Sequence, residues 1–251
     1  MTIIKRHIPN FVTALGLLSG CISIVYSTSS NLKLAGIFIL VAALFDFIDG
    51  WIARKLNSIG DFGKQLDSLA DVVSFGVAPS FIVYKLMQFS LVDSSPQSNF
   101  NIAEPGLAQT LILSLSFLIA IFAALRLAQF NTDTTQEESF RGLPTPAAAL
   151  LIASCGFVVY TKQGLPLEHL LLKLWFLLIL IAVVSWLMVS GIRMFSLKFK
   201  HYGFRENALR YIFLALALVL IVFFRLPGIA PVIVLYVLMS LLKPLFEVSK
   251  H

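Results

Sequence analysis

Of the 13 acidic residues in this 251-residue chain, five fall between positions 46 and 71: Asp46, Asp49, Asp61, Asp67 and Asp71. Asp49, Gly50 and Ala53 follow Asp46 at offsets of three, four and seven, so on a helix all four share one face. Gly63, Asp67 and Asp71 form a second column, spaced four and four. If residues 54–63 turn the two helices antiparallel, four carboxylates converge. Four like charges in a dry site repel one another, and divalent cations relieve that repulsion. A donor set made only of oxygens favours Mg2+, Mn2+ or Ca2+ over zinc. Gly50 and Gly63 leave the backbone open to a bulky polar group, and Arg54 and Lys64 add cations at the edge. Such a cavity suits a pyrophosphate bridged by metal ions and cleaved at one phosphorus–oxygen bond. A purely structural alternative pairs Asp46 and Asp49 with Arg54 and Lys64, but two cations cannot compensate four buried anions.

The elements that must position these acids are apolar. The chain is 58% hydrophobic and 13% charged, with a mean hydropathy of +0.89, well beyond a soluble domain of this size. Apolar runs at about 11–27, 32–53, 65–90, 107–130, 144–160, 170–192, 208–225 and 229–243 are of the length that crosses a bilayer. The last is short and carries Pro231. The runs are continuous rather than alternating, which predicts helices and not a barrel. The expected fold is therefore all-α: one polytopic membrane bundle spanning 1–251, with about eight transmembrane helices. Its catalytic core covers about 8–195, and additional C-terminal spans cover about 208–243. A carboxylate at the bilayer centre costs at least about 2.5 kcal/mol, so the four Asp in apolar helices require compensation.

With eight spans and both ends on one side, 14 of the 19 Lys and Arg fall on that side, against Lys33, Lys85, Lys162, Lys173 and Arg225 on the other. The positive-inside bias then makes both termini and the acidic site cytoplasmic. The same bias, with attraction to anionic head groups, explains a pI near 9.4 without a nucleic-acid partner. The basic aromatic stretch Arg193–Arg210 suits a segment lying along those head groups, whereas the turn-rich stretch 91–106 reads as a connector. Cys21 and Cys155 lie in apolar runs and, with four scattered His, make no disulfide framework or zinc pattern. Leu18-Ser19-Gly20-Cys21 mimics a lipoprotein cleavage box, but Pro9 and Asn10 interrupt the would-be leader. Gly16 and Gly20 have the small-xxx-small spacing that admits a close helix neighbour.

The pattern Asp-x2-Asp-Gly-x2-Ala-Arg-x8-Gly-x3-Asp-x3-Asp is matched in full by residues 46 to 71, and it resembles the signature of the CDP-alcohol phosphotransferases. That resemblance implies two metal ions, Mg2+ or Mn2+ with Ca2+ also able to bind, held by Asp46, Asp49, Asp67 and Asp71. Asp71 would also serve as general base. Gly50, Ala53, Arg54 and Gly63 would line a CDP pocket, together with Asn10, Thr13, Asp49, Lys64 and Asp67. Further strings are similar to the serine-accepting branch of the family: Ile8-Pro9-Asn10-Phe-Val-Thr13, Asp67 through Pro79, Leu125-Arg126-Leu-Ala-Gln-Phe130-Asn131, and Gly142-Leu-Pro144-Thr-Pro146. They cover about the first 150 residues. Gln129 stands where that pattern commonly has a basic residue.

The likeness implies transfer of the phosphatidyl group of CDP-diacylglycerol to the hydroxyl of L-serine, with release of CMP. It places the enzyme as a homodimer in the cell (inner or plasma) membrane, with its site facing the cytoplasm. Arg126 and Asn131 would receive the serine carboxylate or a lipid phosphate, since the guanidinium fork binds either bidentately. The alternative for Arg126 is an arginine snorkelling from a helix end. Two other functions stay open from sequence: the same chemistry on glycerol 3-phosphate or an inositol phosphate, and cation transport, in which intramembrane carboxylates carry ions.

Overall fold

The computed structural model describes residues 2–56, 60–92, 106–132, 141–161, 166–192, 194 and 203–248. Among these there is no β-strand. The elements are α1 (Thr2–Thr28), α2 (Leu32–Lys55), α3 (Asp61–Asp71), α4 (Ala78–Val92), α5 (Leu107–Ser114), α6 (Leu118–Thr132), α7 (Thr145–Thr161), α8 (Pro166–Leu171), α9 (Leu174–Val189), α10 (Phe204–Phe224) and α11 (Ile229–Val248). A π-helical turn, Val72–Val77, joins α3 to α4, and a 3-10 turn, Leu115–Phe117, joins α5 to α6. Among the described residues, four helical stretches are long and apolar enough to cross a membrane: His7–Thr28, Asp61–Leu91, Leu107–Thr132 and Asn207–Phe224. Shorter apolar helices cover Thr145–Tyr160, Leu174–Val189 and Leu226–Leu242. Most of the connector at 91–106 and of the basic stretch between 193 and 207 lies outside the described residues.

Each apolar run became helix, with changes of outline, the 3-10 turn within the run at 107–130 among them. α1 starts at Thr2 rather than at 11 and runs through Pro9. Asn10 and Thr13 thus lie well inside a helix. The run at 170–192 divides into α8 and α9. The run at 65–90 is interrupted by the π turn, in which Ala78 N–H donates to Val73 C=O. Pro79 follows at once, and a proline ring crowds the carbonyl four residues back, here that of Phe75. A wider turn relieves that crowding, and such turns recur at functional sites. Pro231 sits in the first turn of α11, where a missing N–H costs little.

The core is built where small residues let helices touch. A Cβ placed on Gly20 would lie 2.5 Å from Ser74 Oγ and 2.8 Å from Ser74 Cα, and Ser74 Oγ donates to Gly16 C=O at 3.2 Å. The Gly16/Gly20 pair is therefore the seat of the π turn on α1. A Cβ on Gly36 would lie 2.7 Å from the Phe157 ring, which seats α2 against α7. Phe75, Ile82, Leu86, Ile152 and Phe157 are fully buried around these contacts. The opposite faces stay apolar and exposed, as on α10 with Leu218, Val222 and Phe223. For a helix solvated by lipid, that exposure costs nothing.

The α10–α11 hairpin is docked onto α7 by one hydroxyl. Ser154 Oγ donates to Pro227 C=O at 2.9 Å and accepts from Ala230 N–H at 3.0 Å, supplying a partner to one of the orphan donors at the start of α11.

A short strap precedes α7. Gly142 N–H donates to Ile192 C=O and Leu143 N–H to Leu187 C=O, both at 2.9 Å, which fastens Arg141–Leu143 to the end of α9. Gly142 has φ +72°, and a Cβ there would lie 2.4 Å from the Met188 carbonyl oxygen. Gly142→Ala should therefore cost at least about 2 kcal/mol, combining left-handed strain with a backbone clash. The check is thermal unfolding of the detergent-purified protein, with a clear drop in midpoint expected.

Candidate active site

The site is built from the second half of α2, the second half of α3 with the π turn that follows it, and the wall of α1. One carboxylate oxygen each from Asp46, Asp49 and Asp67 lie within 4.8 Å of one another. Oxygens that bind one Mg2+ or Ca2+ at roughly 2.0–2.6 Å stand no farther apart than about 4–5 Å, so a single ion can reach all three. Asp49 is 5% exposed, and its Oδ2 is buried with no hydrogen-bond partner. A carboxylate oxygen in that position is stabilised by a cation, and the donor set is oxygen throughout. The residues present fit a divalent metal.

Asp71 stands outside the triad but lines the same cleft, with Thr13, Gly16, Ala42, Ser74 and Phe75. It is close enough to Asp46, Asp67 and Asp49 for their charges to interact, and equally to Arg126. The convergence read from the spacing is met: the four carboxylates share one small cleft.

The expected CDP-binding residues surround it. Thr13 is buried in the cleft wall beside Asp49, and its Oγ1 donates to Pro9 C=O at 3.0 Å. Asn10 meets α3 at Gly63, where a Cβ would come within 3.2 Å of Asn10 Oδ1. Gly50 lies under the guanidinium of Arg54, whose Nη1 is 3.5 Å from a Cβ built there. Ala53 is half-buried on the same helix. Arg54 and Lys64 are exposed, and Lys64 Nζ donates to Asn131 C=O at 3.4 Å. The two cations of the structural alternative thus stand at the rim and not among the acids.

Asn131 Nδ2 donates to Ser68 Oγ at 2.8 Å, tying the end of α6 to the turn of α3 that carries Asp67. Arg126 is 8% exposed, and its Nε is buried without a hydrogen-bond partner. It belongs to a cavity of about 360 Å3 that Gln129, Arg141, Met188, Ser190 and Gly191 also line. Arg126 lies within electrostatic range of Asp71 and of Tyr236 of α11. It is no snorkelling arginine, because its charge faces inward between the acidic cleft and this cavity.

Sequence reasoning missed Ser68, Arg141 and Tyr236. Arg141 directly precedes the Gly142-Leu-Pro144 string and could have been found there. No signal in the sequence brings Tyr236 to Arg126.

Residues 6–186 match the family model for CDP-alcohol phosphatidyltransferase. The chain belongs to that family. It is 36% identical over 213 residues to a CDP-diacylglycerol–serine O-phosphatidyltransferase of Helicobacter pylori, covering 84% of this chain and 81% of the relative. It is 37% identical over 150 residues to an archaetidylserine synthase of Methanothermobacter thermautotrophicus, covering 59% of this chain and 56% of that protein. A CDP-diacylglycerol–serine O-phosphatidyltransferase of Bacillus subtilis is 32% identical over 152 residues, covering 61% and 76%.

Proposed function

We infer that the chain transfers the phosphatidyl group of CDP-diacylglycerol to L-serine, giving phosphatidylserine and CMP. One observation carries this reading: a triad of carboxylates within 4.8 Å, containing a buried unpartnered oxygen, opens beside an inward-facing arginine. The serine-using relatives, similar over most of the chain, support the acceptor.

Asp46, Asp49, Asp67 and Asp71 would hold two divalent ions, Mg2+ or Mn2+. When bound, such ions neutralise the diphosphate and stabilise charge on the leaving CMP. Asn10, Thr13, Gly50, Ala53, Arg54, Gly63 and Lys64 orient the CDP moiety, together with Asp49 and Asp67. Arg126 holds the serine carboxylate, and Asn131 keeps α6 in register with α3. Asp71 accepts the serine hydroxyl proton as that oxygen attacks the lipid-side phosphorus; the bond to the CMP oxygen breaks. Positioning supplies most of the acceleration.

We place eight crossings in the cell membrane, with both ends and the site on the cytoplasmic side. The eight apolar runs and the uneven spread of Lys and Arg support this. A homodimer belongs to the same proposal, and cross-linking in native membranes tests it.

A panel of acceptors separates this from its rival chemistry. With labelled CDP-diacylglycerol, L-serine should give lipid product, while glycerol 3-phosphate and inositol phosphate should give none. Product with either phosphorylated alcohol but not with serine would overturn the assignment. Cation transport predicts ion flux in liposomes without CMP release, whereas the reading proposed here predicts CMP release that depends on L-serine.

A further inference from the structure

The acidic cleft takes two of its carboxylates, Asp67 and Asp71, from a helix that is lightly held. α3 is 11 residues long, and only Ala70 of it is buried. It rests on α1 and runs into the π turn, while its backbone makes little contact with α6. A helix that short is marginal without tertiary support. Yet Asp67 has to stay in register with Asp46 and Asp49 of α2.

Two serines flank this pair of acids. Ser74 is buried, donates to Gly16 C=O and is wedged against Gly20, so packing alone fixes it. Ser68 is only half-buried, and it reaches α6 through its hydroxyl. Ser68 Oγ donates to Lys64 C=O at 3.0 Å. That bond commits its single proton, so it presents lone pairs to α6. Asn131 Nδ2 donates to them at 2.8 Å, and Asn131 C=O accepts from Lys64 Nζ at 3.4 Å. These bonds close a ring that joins α3 to the last turn of α6. Neighbouring side chains leave a helix about 100° apart. Asp67 can therefore join the triad while Ser68, the next residue, holds α6.

We propose that Ser68 is a positioning residue of the metal centre: its hydroxyl, held by Asn131, keeps the turn of α3 that carries Asp67 where Asp46, Asp49 and Asp67 reach one divalent ion. Groups that fix the orientation of a ligand tune metal affinity in this way. The role rests on the reading of the acidic cleft as a metal site, and not on serine being the acceptor.

The position allows a clean test, because Ser68→Ala removes one oxygen from a half-buried site and opens no core cavity. Mn2+ binding to the full-length, detergent-purified protein is followed by electron paramagnetic resonance without substrate. Ser68→Ala should bind Mn2+ roughly 3- to 10-fold more weakly, the worth of one hydrogen bond. Asn131→Ala should weaken binding to the same degree, and the double variant no further, since both remove one interaction. Ser68→Thr keeps the hydroxyl and should bind as the parental protein does. Ser114→Ala is the control: Ser114 makes the same bond to a carbonyl four residues back, that of Thr110, but lies on α5, which does not line the cleft.

In CMP release, Ser68→Ala should need correspondingly more Mn2+ for half-maximal rate and regain parental kcat at saturating Mn2+. A role in the fold alone would lower kcat at every Mn2+ concentration and leave half-saturation where it was. That result, or unchanged Mn2+ binding by folded Ser68→Ala and Asn131→Ala, would overturn the proposal. Parental protein that bound no Mn2+ would remove the metal site and the proposal with it. If Ser68→Ala weakened Mn2+ binding but parental protein released no serine-dependent CMP, the acceptor assignment would fail and the positioning role would stand.

Discussion

Asp71→Asn should lower serine-dependent CMP release by roughly 10²- to 10⁴-fold, the contribution of a positioned base, while leaving a folded helical protein. The amide has nearly the shape of the carboxylate but cannot take the serine proton. Asp71 is suited to that task because it lines the acidic cleft without belonging to the Asp46–Asp49–Asp67 triad, and because it interacts with Arg126. Asp61→Asn is the control: Asp61 is exposed in the first turn of α3, outside the cluster, and its variant should keep parental turnover. Near-parental CMP release from Asp71→Asn, measured at saturating serine, would remove the residue from this role.

Arg126→Lys should raise KM for L-serine by roughly 10- to 150-fold, the worth of a hydrogen bond to a charged group, with a much smaller change in kcat. Lysine keeps the charge but loses the planar fork that grips a carboxylate through two parallel bonds. The buried Nε without a partner marks a guanidinium that still has donors to offer. An unchanged KM, in protein with parental thermal stability, would show that Arg126 serves the fold alone.

The acidic centre was legible in sequence because helical periodicity is local. Offsets of three, four and seven fix which side chains share a face before any tertiary contact forms. The apolar runs were equally plain, since lipid imposes a length that no soluble helix needs. Their ends were less so. α1 begins nine residues earlier than expected because Pro9 is accommodated inside the helix.

The π turn at Val72–Val77 could not be read, because it answers a crowding produced by Pro79 together with the fit of Ser74 against Gly20. It changes the phase between α3 and α4. Contacts made across long sequence separations escaped entirely. Tyr236 of α11 coming within electrostatic range of Arg126, and Ser154 holding the α10–α11 turn, join elements with no common periodicity. Arg141 was overlooked for a different reason: its importance comes from a strap whose geometry depends on the left-handed Gly142.

The decisive measurement is CMP release from CDP-diacylglycerol by the purified full-length protein, with and without L-serine, before and after removal of divalent ions. Release should require both serine and Mg2+ or Mn2+, cease on chelation and return when either ion is restored. Release that persists in chelator, or that proceeds at the same rate without serine, would contradict a metal-bearing carboxylate centre that delivers a phosphatidyl group to serine.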